Sequence, residues 1–353
     1  MTRPPMTSFQ RVLTTLGHQE PDRVPLFLMV TLHGARELGL SIKDYFAKSE
    51  HVVEGQLRMR ARYHHDCLVG FFYGAVETEA WGGEVVYVDD GPPNSGTPFI
   101  RKPEDIRHLS PPDIRVTPCL VKVLRAIEQL KARVGDDVPI IGVVMSPFSV
   151  PAMQMGFDRY LELMHEQPEL FEQLMRVNEE FCVAWANAQL AAGAAAICYF
   201  DPVSSPTIIP KDRYLKTGYL IARRTVARFK GPTAVHLASG CCLPILENIA
   251  ETGMVAVGVS AFENLPRLKA AAAGKLALLG NLNGITMRRW TAAETEAAVK
   301  NTIAQAGRGG GFILSDNHGE IPWQVPESVL TAISEAVHKW GNYPLDWIKH
   351  DGR

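Results

Sequence analysis

The sequence predicts an α/β chain folded as one (β/α)8 TIM barrel, with a β-hairpin inserted after the second strand. Three observations lead there. Eight short apolar runs bounded by turn residues are spread over 353 residues. Helical stretches fill most of the gaps between them. Two of the runs deliver a histidine at their C-terminal tips. Pro232-Thr-Ala-Val235 empties into His236, and Gly311-Phe-Ile-Leu314 empties into Ser315-Asp-Asn-His318. Strand tips that carry polar side chains are how a parallel barrel equips the site on its C-terminal face.

The eight runs are Val24–Val30, Cys67–Phe72, Val138–Met145, Ala194–Phe200, Pro232–Ala238, Met254–Ser260, Lys275–Gly280 and Gly311–Leu314. Their near-continuous apolarity suits parallel strands buried on both faces. Helices are expected over Asp158–Met164 and Pro168–Ala192, with Pro168 at a helix start. Pro244–Glu251 ends near Gly253, a C-cap signal. Thr291-Ala-Ala-Glu294 reads as a capping box opening a helix to Ala306. Val325–Trp340 completes the set. Between the second and third runs, Glu84–Val88 and Thr97–Ile100 flank a turn-rich stretch and read as the inserted hairpin. Gly307-Arg-Gly-Gly-Gly311 precedes a strand and opens no helix, so it reads as a turn rather than a phosphate loop. No linker, repeat or low-complexity segment divides the chain, so residues 1–353 are expected to form a single domain.

The hydrophobic fraction of 46%, charged fraction of 21% and net charge of -2 are those of an ordinary globular enzyme. The basic residues are scattered, which excludes a nucleic-acid footprint or a basic membrane face. The six cysteines lack disulfide-framework spacing, which favours a reducing cytoplasm. No apolar run approaches the ~20 residues that span a bilayer, and the N-terminus lacks the apolar core of a signal peptide.

In a barrel, the strand tips share one cavity. Met29, His33, Tyr73, Met145 and Asn281 would then contact substrate, and Asp201, His236, Asp316 and His318 would carry acid–base chemistry. A zinc reading draws on the same residues: His236, Cys241 or Cys242, and His318 supply nitrogen and sulfur ligands, with Glu263 an added oxygen. Against it stands a plainer reading, in which the cysteines cap the next helix and the histidines hydrogen-bond in a polar cavity. Asp201 ends an apolar strand, so it is either functional or an Asx-type turn. Glu77 and Glu79 are equally suited to a solvated helix face and to the pocket.

Several stretches together resemble the uroporphyrinogen decarboxylase superfamily, and within it the corrinoid-dependent methyltransferases. They are Glu20-Pro-Asp-Arg-Val-Pro25, Glu77-Thr-Glu-Ala-Trp-Gly-Gly-Glu-Val85, Ser146-Pro-Phe148 with Gly156-Phe157, Ala192-Gly-Ala194 with Asp201-Pro202, Val235-His236 with Pro244-Ile-Leu246, Gly280-Asn281, and Gly310–Ser315 with Ile321-Pro322. The resemblance covers about residues 8 to 340 and itself implies the barrel. It implies a cobalamin cofactor carried by a separate corrinoid protein, since no Asp-x-His-x-x-Gly signature occurs in this chain. In the thiol-methylating branch zinc is held by His-x-Cys and a later Cys. Here His236 is retained, Ala238 replaces the cysteine, and His318 stands near the third position. The methyl donor implied is a methoxylated or methylated small substrate, with zinc or a protonated His236 or His318 activating the leaving atom and Asp201 or Asp316 orienting it. Thiol methylation from methylcobalamin is an alternative. So is metal-free decarboxylation: Asn317-His318-Gly319 is similar to the decarboxylase tip, yet Leu28–Arg36 lacks that branch's arginine-rich motif, whose guanidiniums would bind tetrapyrrole carboxylates. A barrel that only binds a ligand is a third class, and dimerisation is left open.

Overall fold

The computed structural model describes residues 5–348. Nine strands occur among them: β1 Leu68–Val69, β2 Val85–Val86, β3 Asn94–Ser95, β4 Ile140–Met145, β5 Ala196–Phe200, β6 Thr233–His236, β7 Ala256–Gly258, β8 Ala277–Leu282 and β9 Phe312–Asp316. Seven of them pair in parallel in the order β1-β4-β5-β6-β7-β8-β9. The sheet runs in sequence order and has helices between its strands, and its curl is that of a TIM-barrel-like fold.

The first expected strand, Val24–Val30, is not a full strand. Its pairing with β9 is a single parallel bridge, Leu26↔Leu314. The Phe27 amide donates to the Leu314 carbonyl at 2.8 Å, and the Leu314 amide donates to Pro25 at 2.9 Å. On the other side the Asp66 amide donates to the Leu26 carbonyl at 2.7 Å. Pro25 has no amide to extend the ladder. The inserted segment also differs from expectation. Val85 pairs with Ser95 and Val86 with Asn94 in antiparallel register, so the return strand lies at β3 and Thr97–Ile100 is irregular.

The helices follow their sequence signals closely. Phe157–Glu166 and Pro168–Ala191 fall where expected. Thr291 caps Ala292–Ala306 with both bonds of the capping box. Pro244 lies in a 3-10 turn, Leu243–Ile245, before the helix Leu246–Glu251. In the Gly-rich turn the Gly310 φ is +67°, and a Cβ there would lie 2.3 Å from the Gln19 carbonyl oxygen. Only glycine fits that position.

A buried charge cluster organises the barrel foot. Asp66 is fully buried. Its carboxylate accepts from Arg11 Nη1 at 2.7 Å, Arg23 Nη1 at 2.8 Å, Ser8 Oγ at 2.9 Å and the Leu26 amide at 2.9 Å. Asp22 holds Arg11 in a fork, with both bonds at 2.6 Å. Asp22 and Arg23 come from the Glu20–Pro25 stretch, so that stretch braces the fold. Removing the Asp66 carboxylate strands Arg23 in a buried setting and leaves Arg11 with Asp22 alone, and breaking such a buried pair typically costs about 3–5 kcal/mol. Chemical denaturation of Asp66→Ala should show a loss of that order, and a loss below about 1 kcal/mol would deny the cluster this role.

Candidate active site

Register places the site. Met145, Phe200, His236 and Gly258 stand in one row across β4, β5, β6 and β7. His236 is buried, and its ring stacks on Phe200 at 5.6 Å with 14° between the planes. A Cβ on Gly258 would lie 2.4 Å from His236 Cδ2, and one on Gly319 would lie 3.0 Å from its Nδ1. The imidazole therefore fills a slot that exists because two neighbours lack side chains.

The Ala238 amide donates to His236 Nδ1 at 3.1 Å. A backbone N–H only donates, so in the neutral ring the proton sits on Nε2. Nε2 is buried and has no hydrogen-bond partner among the described residues. Burial, with His318 nearby, pushes the His236 pKa down to about 4. At neutral pH the ring is an uncharged donor awaiting an acceptor.

The tip of β9 is similarly unfinished. Asp316 Oδ2 accepts from the His318 amide at 2.7 Å and the Gly319 amide at 3.2 Å. Asp316 Oδ1, Asn317 Nδ2 and His318 Nδ1 are buried atoms without partners among the described residues. Burial lifts the Asp316 carboxyl to about 6 and lowers the half-buried His318 ring. Burial and the neighbouring Asp316 push Glu320 up to about 8. Orphaned polar atoms at such density are expected where a polar ligand supplies the missing bonds.

The other expected residues fall in several places. The buried His33 packs against Trp323 at 5.7 Å. Its ring lies near the Pro322 carbonyl without a hydrogen bond of normal geometry, and burial, with Arg36, lowers its pKa to about 3. The Met29 carbonyl accepts from the Ile321 amide at 3.0 Å, joining the first segment to the β9 loop. Asn281 Nδ2 donates to the Ser260 carbonyl at 3.1 Å, tying the tip of β8 to the segment after β7. Tyr73 packs on Phe46 and Phe71, and its hydroxyl donates to Glu79. Asp201 Oδ1 accepts from Ser146 Oγ at 2.5 Å and Ser149 Oγ at 2.6 Å. Those bonds join the loops after β4 and β5, and no histidine bonds to this oxygen.

The proposed zinc ligands do not come together. Among the described residues no three His, Cys, Asp or Glu side chains converge as a metal site requires. Both Glu263 oxygens are taken by backbone amides, Cys242 at 2.9 Å and Leu243 at 2.8 Å, which caps the turn at Leu243–Ile245. Cys242 is fully buried, and burial raises its thiol pKa well above normal. The Cys241 backbone is held by Thr207 and Ser205, and its side chain is half-buried. The residues present do not form a zinc site in this arrangement.

Glu77 carries more than the sequence reading assigned to it. It is 1% exposed, and its Oε1 accepts from the Met145 amide at 2.8 Å. Burial pushes its carboxyl up to about 8, against that single bond. Neither Glu320 nor Ser149 stands out in the sequence, whereas Ser146 and Asn317 belong to stretches that carry the family resemblance. The Ser146-x-x-Ser149 spacing next to a strand-ending Asp201 was the available signal.

Comparison with known proteins yields one family and one fold. A family profile described as "Uroporphyrinogen decarboxylase (URO-D)" matches residues 7–340. A uroporphyrinogen decarboxylase of Nitrosospira multiformis is 26% identical over 351 residues, covering 93% of each chain. One from Idiomarina loihiensis is 26% identical, over 96% of this chain and 98% of that protein. Among solved structures, a methyltransferase from Methanosarcina mazei superimposes with a TM-score of 0.80 at 21% identity, covering 95% of this chain and 99% of that one. A B12-independent methionine synthase from Shewanella superimposes at 0.55 with 14% identity, covering 84% of this chain and 89% of that one. At those identities the two structures establish the fold alone. No helix among the described residues is long and apolar enough to cross a membrane.

The raised Glu77 pKa fixes a sign. The unfolded carboxyl ionises near 4.5 and the folded one near 8, so the stability tied to its proton is whole below pH 4.5 and is lost as pH rises through 8. Glu77→Gln should therefore gain on the parent chain by roughly 4 kcal/mol between pH 5 and 8.5 in urea melts. Parallel stability curves for the two proteins would contradict this.

Proposed function

The chain belongs to the uroporphyrinogen decarboxylase family, and from that premise we propose that it is a methyltransferase. It moves a methyl group from an uncharged methoxylated or methylated small substrate to the cobalt of a corrinoid carried by a separate protein. The observation that carries this reading is the neutral His236, which is buried, fixed by Ala238 as an Nε2 donor and unpartnered. When bound, the reduced corrinoid supplies the nucleophile that accepts the methyl group. This chain must hold the substrate and quiet the charge left on the departing oxygen or nitrogen.

His236 suits the second task without titrating. As the bond from methyl carbon to oxygen or nitrogen breaks, negative charge grows on the leaving atom, and a fixed donor in a dry site stabilises it most. The proton that finally neutralises the atom must come from a group holding one at neutral pH. Glu320, with its pKa near 8, is such a group on the β9 loop. Asp316 and Asn317 offer the further bonds that would orient the substrate. No step uses zinc, because the donors do not assemble.

Cation placement weighs against an anionic tetrapyrrole. Arg36 is the only arginine in Leu28–Arg36. It stacks on Trp323 at 3.8 Å and donates to the Trp323 and Val325 carbonyls. A guanidinium so committed is a poor clamp for substrate carboxylates. Decarboxylation stays as the second reading because the relatives carry that name and Asn317-His318-Gly319 is similar to the decarboxylase tip. Thiol methylation is weaker, since it calls for a metal-held thiolate.

Purified protein incubated with reduced cobalamin and a panel of methoxyarenes and methylamines should form methylcobalamin with at least one donor. His236→Ala should lower that rate roughly 10²–10³-fold. The rate should not fall tenfold per pH unit between 6 and 8, as it would if His236 acted as an imidazolium. Turnover of uroporphyrinogen with no methyl transfer would overturn the proposal in favour of the second reading.

A further inference from the structure

We propose that the foot of the barrel holds a second binding site, for one small uncharged apolar molecule of about the size of an aromatic ring. This inference does not rest on the proposed methyl transfer. A cavity of about 110 Å³ lies inside the sheet, on the side opposite the strand tips. Its walls include Ile141, Ala234, Ala256 and Ile313 from β4, β6, β7 and β9. Pro139, Ala195, Pro232 and Val255 border it where strands begin, and His236 stands at its upper end. Val12 and Leu16 of the helix Ser8–Leu16 close it from below.

The cavity is preformed. Its lid helix is pinned by the Arg11 bonds to Asp22 and Asp66, by the Phe9 amide on the Asp137 carbonyl at 2.8 Å, and by the Gly311 amide on the Thr15 carbonyl at 3.1 Å. Alanines at 234 and 256 leave the space that larger strand residues would fill. Natural cores are close-packed, so a void of this size is uncommon.

The lining also selects its occupant. A buried water needs two to four polar partners. The only polar side chains here are His236 and the weakly bonding thiols of Cys67 and Cys198. An ordered water is therefore disfavoured and an ion more so. Apolar cavities of about 150 Å³ stay dry and take benzene or xenon. Leu13 and Phe9, 59% and 36% exposed, stand at the border of the cavity and give an apolar approach from solvent.

The test uses the full chain with fluorobenzene as the probe, followed by 19F NMR and thermal melts. The expected result is saturable binding of one molecule per chain and a Tm gain of roughly 2 °C at ten times Kd. Ala256→Leu should fold and lose both effects. Absence of saturable binding, or equal binding by the variant, would overturn the proposal. Crystals of the parent chain soaked in bromobenzene or xenon give a result that does not depend on the variant folding. Density between Val12 and Ile313 supports the site, and density only elsewhere overturns it.

Discussion

One buried carboxylate ties the barrel together. Asp66 receives Ser8 and Arg11 from the N-terminal helix, Arg23 from the first segment, and the Leu26 amide, which has no ladder partner on that side. That one side chain stands in for the missing length of a first strand. It sets the height of residues 25–27 against β9, where Leu26 meets Leu314. The loops above inherit this register, with the Ile321 amide reaching the Met29 carbonyl. Were the first segment to slide, His33 and the β9 tip would part. The family stretch Glu20–Pro25 therefore has an architectural role through Asp22 and Arg23.

At the opposite end the governing effect is desolvation. His236 is held below its usual range and Glu320 above its own, so both are neutral near pH 7, while Asp316, raised only to about 6, keeps a negative charge there. Such a site is poorly suited to a polyanion. It suits a neutral substrate whose charge appears only during reaction, when a fixed donor counts most. The slot around His236 depends on Gly258 and Gly319, so the sequence keeps this ring in place by omitting neighbouring side chains.

Much of the scaffold was legible in the sequence because its signals are local. Apolar runs marked β4, β5, β6, β8 and β9, and Thr291 with Glu294 announced a helix start that both capping bonds confirm. What escaped is what depends on distant partners. Val24–Val30 is as apolar as any strand, yet its ladder is one bridge long, because Pro25 lacks an amide and Asp66 takes the Leu26 amide. The return strand at Asn94–Ser95 is polar and carries no strand pattern. His236 and Asp316 stood out as strand tips. The burial of Glu77 did not, since Val76–Ala80 is too short to show a face. The cysteine pair suggested zinc by composition, but spacing cannot reveal that the Glu263 oxygens are spent on the amides of Cys242 and Leu243.

Whether His236 can act as a neutral donor is decided by its protonation state, which 15N NMR of histidine-labelled protein against His236→Gln reads directly. The expected result is a neutral ring at pH 7 with its proton on Nε2, unchanged down to about pH 5 and titrating near 4. A His236 signal of the imidazolium, or of the Nδ1–H tautomer, at pH 7 would contradict the donor role on which the proposed methyl transfer depends.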